Sequence, residues 1–190
     1  MDTSTLQRPP AATTSGSMWT IDPNHSVLEF AVKHMIVTTV KGRFEEFSGT
    51  IRFDPDQVEH SSVDVIIQTD SINTGVGARD THLRSTDFFN TARYPVATFY
   101  STSVEGNGNR FTINGELTIG GIARSVTLKA EFQGRGVNPS GMEVAGFEAT
   151  GKLNRKDVGL NWNQALESGG VLVGDEIRLA LTIQASRITS

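Results

Sequence analysis

The sequence predicts an all-β fold, an antiparallel barrel or a sandwich, and three observations support this. Apolar and polar residues alternate with a period of two along most of the 190-residue chain. Turn-forming residues, mainly glycine, proline and asparagine, separate the alternating runs. There are eight such runs and a short ninth, at short spacing. Alternation is typical of strands with one face in water and one in the core, and many short strands favour a barrel or a sandwich.

Residues 1–17 precede the first run and consist mainly of Thr, Ser, Pro and Ala. Such a segment buries too little apolar surface to offset the entropy lost on ordering, so we expect a flexible N-terminal tail. The segment also lacks the apolar stretch of a signal peptide, and we therefore expect a cytoplasmic protein. Residues 18–190 then form a single β domain.

The predicted strands follow along the chain, and only one segment interrupts them. The short strand lies near 19–21, and the other strands cover 26–34, 47–53, 62–69, 96–104, 110–119, 125–132, 145–153 and 176–184. The segment 79–89 breaks the alternation, and the spacing of Asp80 and Arg84 suits one or two helical turns. Turn signals such as Gly120-Gly121 and the run 138–141 separate neighbouring strands.

Composition and motif spacing exclude several classes of function. With 17 basic and 21 acidic residues the net charge is −4, which does not suit a nucleic-acid partner. The absence of cysteine excludes disulfides, thiolate metal sites and a cysteine nucleophile. Apolar runs are too short for an integral membrane segment. The four histidines, His25, His34, His60 and His82, have no metal-ligand spacing, so we expect no metal.

Small residues on the predicted inward face leave two interpretations open. Gly49, Gly115, Ala130, Ala149 and Gly151 share that face with large apolar residues. Eight strands enclose a space that side chains just fill or that holds one small ligand. Small residues there either leave an apolar cavity or make room for a bulky neighbour.

The most prominent polar cluster lies in the predicted helical segment. It comprises Arg79, Asp80, His82, Arg84 and Asp87. Its arginines suit the anionic or polar head of a ligand at a cavity mouth. The alternative is a solvated helix face with local ion pairs, and the residues taken alone favour that alternative.

The order of motifs resembles the YceI-like family. The motifs that carry the resemblance are Trp19-Thr20-Ile21-Asp22, His25-Ser26, Phe30 to His34, Lys41-Gly42-Arg43-Phe44, Phe47-Ser48-Gly49, Thr74, Arg79-Asp80-Thr81-His82-Leu83, Asp87-Phe88-Phe89, Tyr94-Pro95, Phe99, Gly115 to Gly121, and Asn154-Arg155-Lys156-Asp157-Val158-Gly159. They run collinearly from about Trp19 to Ile183. The chain departs from the family at Val158, where an aromatic residue is frequent, and in showing no secretory signal.

The resemblance implies an extended antiparallel, eight-stranded, lipocalin-like barrel with a long apolar channel. It also implies binding of polyisoprenoid lipids, quinone-like or prenyl-phosphate molecules or other long amphiphiles, and homodimers are common in the family. We therefore predict a non-enzymatic carrier or store for a long-chain lipid, with no other cofactor. Burying twenty methylenes contributes a gross ~16 kcal/mol. Ordering of the lipid chain offsets much of this gain, which gives micromolar to nanomolar affinity.

The predicted site has an apolar lining and a polar end. The predicted lining residues are Leu28, Phe30, Phe53, Phe99, Phe111, Ile113, Leu117, Phe132 and Phe147. The predicted head-group residues are Arg79, Asp80, His82 and Arg84. We expect Gly115→Phe or Ala149→Phe to fill the interior of a folded barrel and abolish lipid binding.

Two other functions remain open on the sequence. A packed interaction module predicts no uptake of an apolar dye. An enzyme with His82 and Asp80 or Asp87 as an acid–base pair predicts that His82→Ala removes turnover and leaves ligand retention nearly intact.

Overall fold

The structure is a computed structural model that describes residues 16–189. Its strands are β1 (Ser17–Ile21), β2 (Val27–His34), β3 (Thr38–Phe44), β4 (Phe47–Phe53), β5 (Ser62–Gln68), β6 (Ile72–Asn73), β7 (Val96–Asn107), β8 (Arg110–Ile119), β9 (Ile122–Val137), β10 (Glu143–Asn154) and β11 (Val173–Arg187). Helix α1 (Gly77–Arg84) follows β6. Short 3₁₀ turns cover Pro23–His25, Val58–His60, Thr69–Ser71 and Arg155–Val158.

Eight antiparallel strands close into a barrel. Their order around the barrel is β1, β4, β5, β7, β8, β9, β10 and β11, and β1 pairs with both β4 and β11. The pairs Trp19↔Arg187 and Trp19↔Ile51 close the circuit. Closure removes the two free edges that an open sheet would leave. The predicted antiparallel β-barrel is thereby confirmed, and the sandwich alternative is wrong.

Strands β2, β3 and β6 extend the sheet beside the closed circuit. The 3₁₀ turn Pro23–His25 follows β1, and the Asp22 carboxylate caps it. After this turn the chain continues as β2, which pairs with the same strand as β1, namely β11. β1 pairs with the last residues of β11, whereas β2 pairs with its earlier part, as in Leu181↔Leu28. β3 pairs with β2, and β6 pairs with β3.

The observed elements differ from the predicted ones in three places. The prediction does not include β3 or the two-residue β6, because the inner face of β3 carries Gly42 between Val40 and Phe44 and so shows only two large apolar residues. The helix covers 77–84, and residues 85–93 are mostly turns rather than helix. Most of the predicted N-terminal tail, residues 1–15, lies outside the described residues, and Ser17 already belongs to β1.

Different elements of the fold form the two ends of the barrel interior. At the end that we call the strand end, the core consists of strand residues around Trp19 and Phe53. The Phe53 ring lies 4.9 Å from that of Phe132 and 5.2 Å from that of Phe147. At the opposite end, the cap end, Ile72 packs with Phe89 and with residues of the segments that cover the opening. These segments are α1, residues 85–95 and residues 155–172.

Candidate functional site: an apolar cavity inside the barrel

A cavity of about 270 Å³ lies inside the barrel. All eleven strands of the described chain and α1 contribute side chains to its wall. It extends from Leu83 and Phe88 at the cap end to Phe53 and Phe111 at the strand end. Its wall is apolar apart from a few residues, which are Glu29, Arg52, Ser61, Ser62 and Arg155. A smaller apolar cavity, of about 150 Å³, stays dry and binds benzene in another protein, so this one is large enough for an apolar ligand.

The exposure of inward-facing residues indicates that the middle of the barrel is hollow. On β11, Leu179, Leu181 and Ile183 face the cavity yet are only half-buried. Toward the strand end of the same strand, Ala185 is fully buried. Because all four residues lie on the inner face, the difference reflects empty space beside the first three side chains.

Eight of the nine predicted lining residues border the cavity. They are Leu28, Phe30, Phe53, Phe99, Phe111, Ile113, Leu117 and Phe147. The ninth, Phe132, belongs to the packed aromatic cluster instead, with its ring 5.4 Å from that of Phe147. That any of these residues contacts a ligand stays a prediction.

Some of the small inward residues make room for a bulky neighbour, and others border the cavity. A Cβ at Gly115 would clash with the Phe99 ring and lie 2.6 Å from the Tyr100 carbonyl oxygen. A Cβ at Gly151 would lie 2.6 Å from Leu128 Cδ2. These glycines therefore make room for bulky neighbours. Ala130 and Ala149, in contrast, border the cavity.

The expectation that Gly115→Phe leaves the barrel folded is therefore wrong. The new side chain would have to displace both the Phe99 ring and the backbone of the neighbouring strand. Close packing leaves no room for such a change. Ala149→Phe remains the valid version of this experiment, because Ala149 faces empty space.

The predicted head-group residues Arg79, Asp80 and Arg84 mainly hold the cap in place. Arg79 Nε donates to Thr74 Oγ1 at 2.7 Å, and that hydroxyl donates to Asp80 Oδ1 at 2.5 Å. Arg84 donates to the carbonyl oxygens of Asp70 and Ile72, at 2.7 and 2.9 Å. None of the three borders the cavity. These bonds fix α1 over the barrel opening, and a role toward a ligand stays a prediction.

His82 links two segments of the cap. Its Nε2 lies 2.8 Å from Asp87 Oδ2, so one of the two acid–base pairs considered from the sequence is in contact. The imidazole ring also packs edge-on against Trp162 at 4.7 Å and Phe88 at 5.1 Å. His82 and Asp87 lie outside the cavity wall, whereas Phe88 belongs to it. The carboxylate contact therefore joins α1 to the turn that contains Asp87, and the ring contact joins α1 to the loop that contains Trp162.

Arg155 is a buried charged residue that the sequence prediction did not include. Its side chain is 2% exposed and borders the cavity at the cap end. It donates to the carbonyl oxygens of Leu160, Trp162 and Gly174 at 2.5, 2.8 and 2.9 Å. Burial lowers the pKa of its guanidinium, and the Asp175 carboxylate, 3.6 Å away, opposes that shift. Arg155 thus holds the 159–174 segment against the barrel.

The apolar cap residues Leu83, Phe88 and Phe89 are further wall residues that the sequence prediction missed. All three lie in the predicted helical segment 79–89, where the sequence prediction placed only polar side chains in the site. The usable signal was the Phe88-Phe89 pair, because two adjacent aromatic residues are unusual in a solvated loop.

Within residues 16–189, no three side chains of the types that bind metals converge. No helix in that part of the chain is long and apolar enough to cross a membrane.

Comparison with known proteins identifies the family. The model of the YceI-like domain matches residues 19–185. The chain belongs to the YceI-like family. The Protein YceI of Escherichia coli O157:H7 is 44% identical over 133 residues, which cover 70% of each chain. The motifs quoted above thus led to the correct family.

Solved structures of the same fold agree with the YceI-like barrel. The crystal structure of BcnA from Burkholderia cenocepacia has a TM-score of 0.76 at 24% identity, and the match covers 86% of this chain and 98% of that one. A polyisoprenoid binding domain from Saccharophagus degradans, implicated in plant cell wall breakdown, has a TM-score of 0.64 at 17% identity. That match covers 92% of this chain and 100% of the other. At these identities the likeness concerns the fold.

Proposed function

We propose that this YceI-like protein binds a long-chain apolar amphiphile, of the polyisoprenoid class, inside its barrel and carries out no covalent chemistry on it. The observation that carries the proposal is the cavity of about 270 Å³ with its almost entirely apolar wall. The polyisoprenoid binding of the Saccharophagus degradans domain supports the choice of ligand class, because that domain shares the fold.

In such a site, burial of the ligand's apolar chain supplies most of the binding free energy. Each buried methylene contributes about 0.8 kcal/mol, and apolar burial has no directional preference. We therefore infer loose selectivity for chain length. The polar wall residues are few, so they offer little discrimination among head groups.

Native mass spectrometry of protein purified without detergent tests the proposal directly. We expect a stoichiometric mass increment, and organic extraction should release an amphiphile of long chain length. The apo protein should take up an added prenyl alcohol with micromolar or tighter affinity. A protein that is empty and also refuses both prenyl lipids and apolar dyes would contradict the proposal and favour a packed interaction module.

We infer that the ligand enters at the cap end. At the other end, strand residues such as Trp19 and Ala185 are fully buried. At the cap end, side-chain bonds and ring contacts join short segments that lie outside the closed circuit of strands. Local opening is less costly in such segments than in a closed strand ladder.

The cytoplasmic location, the homodimer and the choice between transport and storage belong to the same proposal. Cell fractionation checks the location, and light scattering of the purified protein gives the oligomeric state. Transfer of a labelled lipid to acceptor vesicles would favour a carrier over a store.

A further inference from the structure

The turn between β2 and β3 differs from the turns of the hairpins β7–β8, β8–β9 and β9–β10. In those three, glycines occupy left-handed backbone positions, namely Gly108, Gly120, Gly121 and Gly141. In the β2–β3 turn the three residues are Met35, Ile36 and Val37, and they are 44%, 74% and 78% exposed. The β2–β3 turn therefore presents three apolar side chains in succession, whereas among the other three turns the β9–β10 turn presents one, Met142, after four turn-forming residues.

The β2–β3 turn is unfavourable in two independent ways in water. Met35 and Ile36 have φ values of 51° and 67°, the left-handed region in which Asn and Gly are favoured and a β-branched residue is an outlier. Their exposed apolar surface is also poorly solvated. An exposed apolar turn that is kept in spite of this backbone strain indicates a surface that contacts an apolar partner.

A second loop extends this surface. The Met35 amide donates to the Leu172 carbonyl oxygen at 2.8 Å, which joins the turn to the loop before β11. Ile36 Cδ1 lies 3.6 Å from the position that a Cβ at Gly170 would take. The neighbouring Val171 is 44% exposed. Met35, Ile36, Val37 and Val171 together form what we call the apolar tip.

We propose that the apolar tip inserts into the interfacial region of a lipid bilayer. A stable protein–protein interface uses about 20–30 residues on each side, far more than these four. Shallow insertion of a small convex apolar surface needs no such area, since its strength scales with the apolar surface buried in lipid.

The position of the tip supports the same partner. The apolar tip adjoins β2 and β11, and these two strands contribute Val32 and Val173 to the cavity wall. Insertion would therefore place the cap end of the cavity beside the bilayer from which a lipid is taken or to which it is delivered. This part of the argument rests on the proposed function, whereas the composition and conformation of the turn do not.

Flotation of the full chain with phosphatidylcholine vesicles tests the proposal. The variant Met35→Asn/Ile36→Gly replaces the two residues with the pair that the turn conformation favours, so it should fold at least as well. The matched control is Val137→Ser/Met142→Ser, which removes two exposed apolar side chains from the β9–β10 hairpin near the strand end. We expect wild type and control to float equally and the tip variant to bind vesicles at least tenfold more weakly.

Three results would overturn the insertion. The first is that the wild type does not float. The second is that the tip variant and the control lose vesicle binding equally. The third is that light scattering without vesicles shows a dimer for the wild type but not for the tip variant. Uptake of an apolar dye from vesicle-free solution, measured on the same samples, tests the proposed function separately. Normal uptake without flotation contradicts only the insertion, and flotation without uptake contradicts only the lipid cavity.

Discussion

The strand end and the cap end of the barrel interior use similar residue types for different purposes. At the strand end, aromatic rings fill the space between strands, and Trp19 and Ala145 are fully buried. At the cap end, Phe88 borders the cavity and is held by a ring contact with His82. The strand end is thus packed with strand residues, whereas at the cap end residues of the covering segments border the cavity. Three experiments test whether the two ends differ in this way.

Truncating one aromatic residue at each end should have unequal effects on stability. Trp19→Ala leaves a large hole in the packed strand end and should lower the free energy of unfolding by about 3–5 kcal/mol. Phe88→Ala enlarges a cavity that already exists and should cost about 1–2 kcal/mol, because the side chain is only half-buried. Urea unfolding of both variants measures the difference. Equal losses would mean that the two ends are packed alike.

Enlarging one alanine on β10 should separate folding from ligand uptake. Ala149 borders the cavity, so Ala149→Phe should leave the barrel folded and reduce uptake of an apolar dye at least tenfold. Ala145 is the matched control four residues away on the same inner face, and it is fully buried. Ala145→Val, which adds two methyl groups at this packed position, should cost about 1–3 kcal/mol through overpacking and leave uptake unchanged. Normal uptake by folded Ala149→Phe would exclude that part of the cavity from binding.

The smallest expected effect is a pH dependence at the strand end. Hydrogen bonding to Arg187 lowers the pKa of Glu143 below its usual value of 4.5. A carboxyl group with a lowered folded-state pKa stabilises the protein above its unfolded pKa, and this contribution is lost as the pH falls through the folded-state value. Glu143→Gln should therefore melt slightly below wild type at pH 7, and the difference should vanish in acid. A difference that persists at low pH would assign the effect to packing rather than to charge.

Much of the fold was predictable because strand geometry is local. The alternation of residues 110–119 and 145–153 requires no knowledge of the partner strand, and both segments are strands in the structure. β3 is missing from the prediction because glycine takes the middle position of its inner face, which leaves only Val40 and Phe44 to mark the apolar period. The two-residue β6 has too few residues for any period to appear.

The candidate site was predictable only in part, because a period of two gives the face of a residue and not its neighbours. Phe132 and Phe147 both lie on the inner face, yet only Phe147 borders the cavity. Gly115 and Ala149 share that face as well. The Phe99 ring occupies the space beside Gly115, while the space beside Ala149 is empty.

The sequence alone predicts most of the strands, their inner faces and the turn positions, and the order of its motifs predicts the YceI-like family. The strands, faces and turns depend on residues close together in the chain, whereas the family follows from motifs spread from Trp19 to Ile183. The tertiary structure decided that β1 closes the barrel against β11, that Arg155 and the residues of α1 hold a cap over it, and that a cavity remains inside. Each of these features depends on contacts between residues far apart in the chain. The volume of the cavity depends on how closely those residues pack against one another.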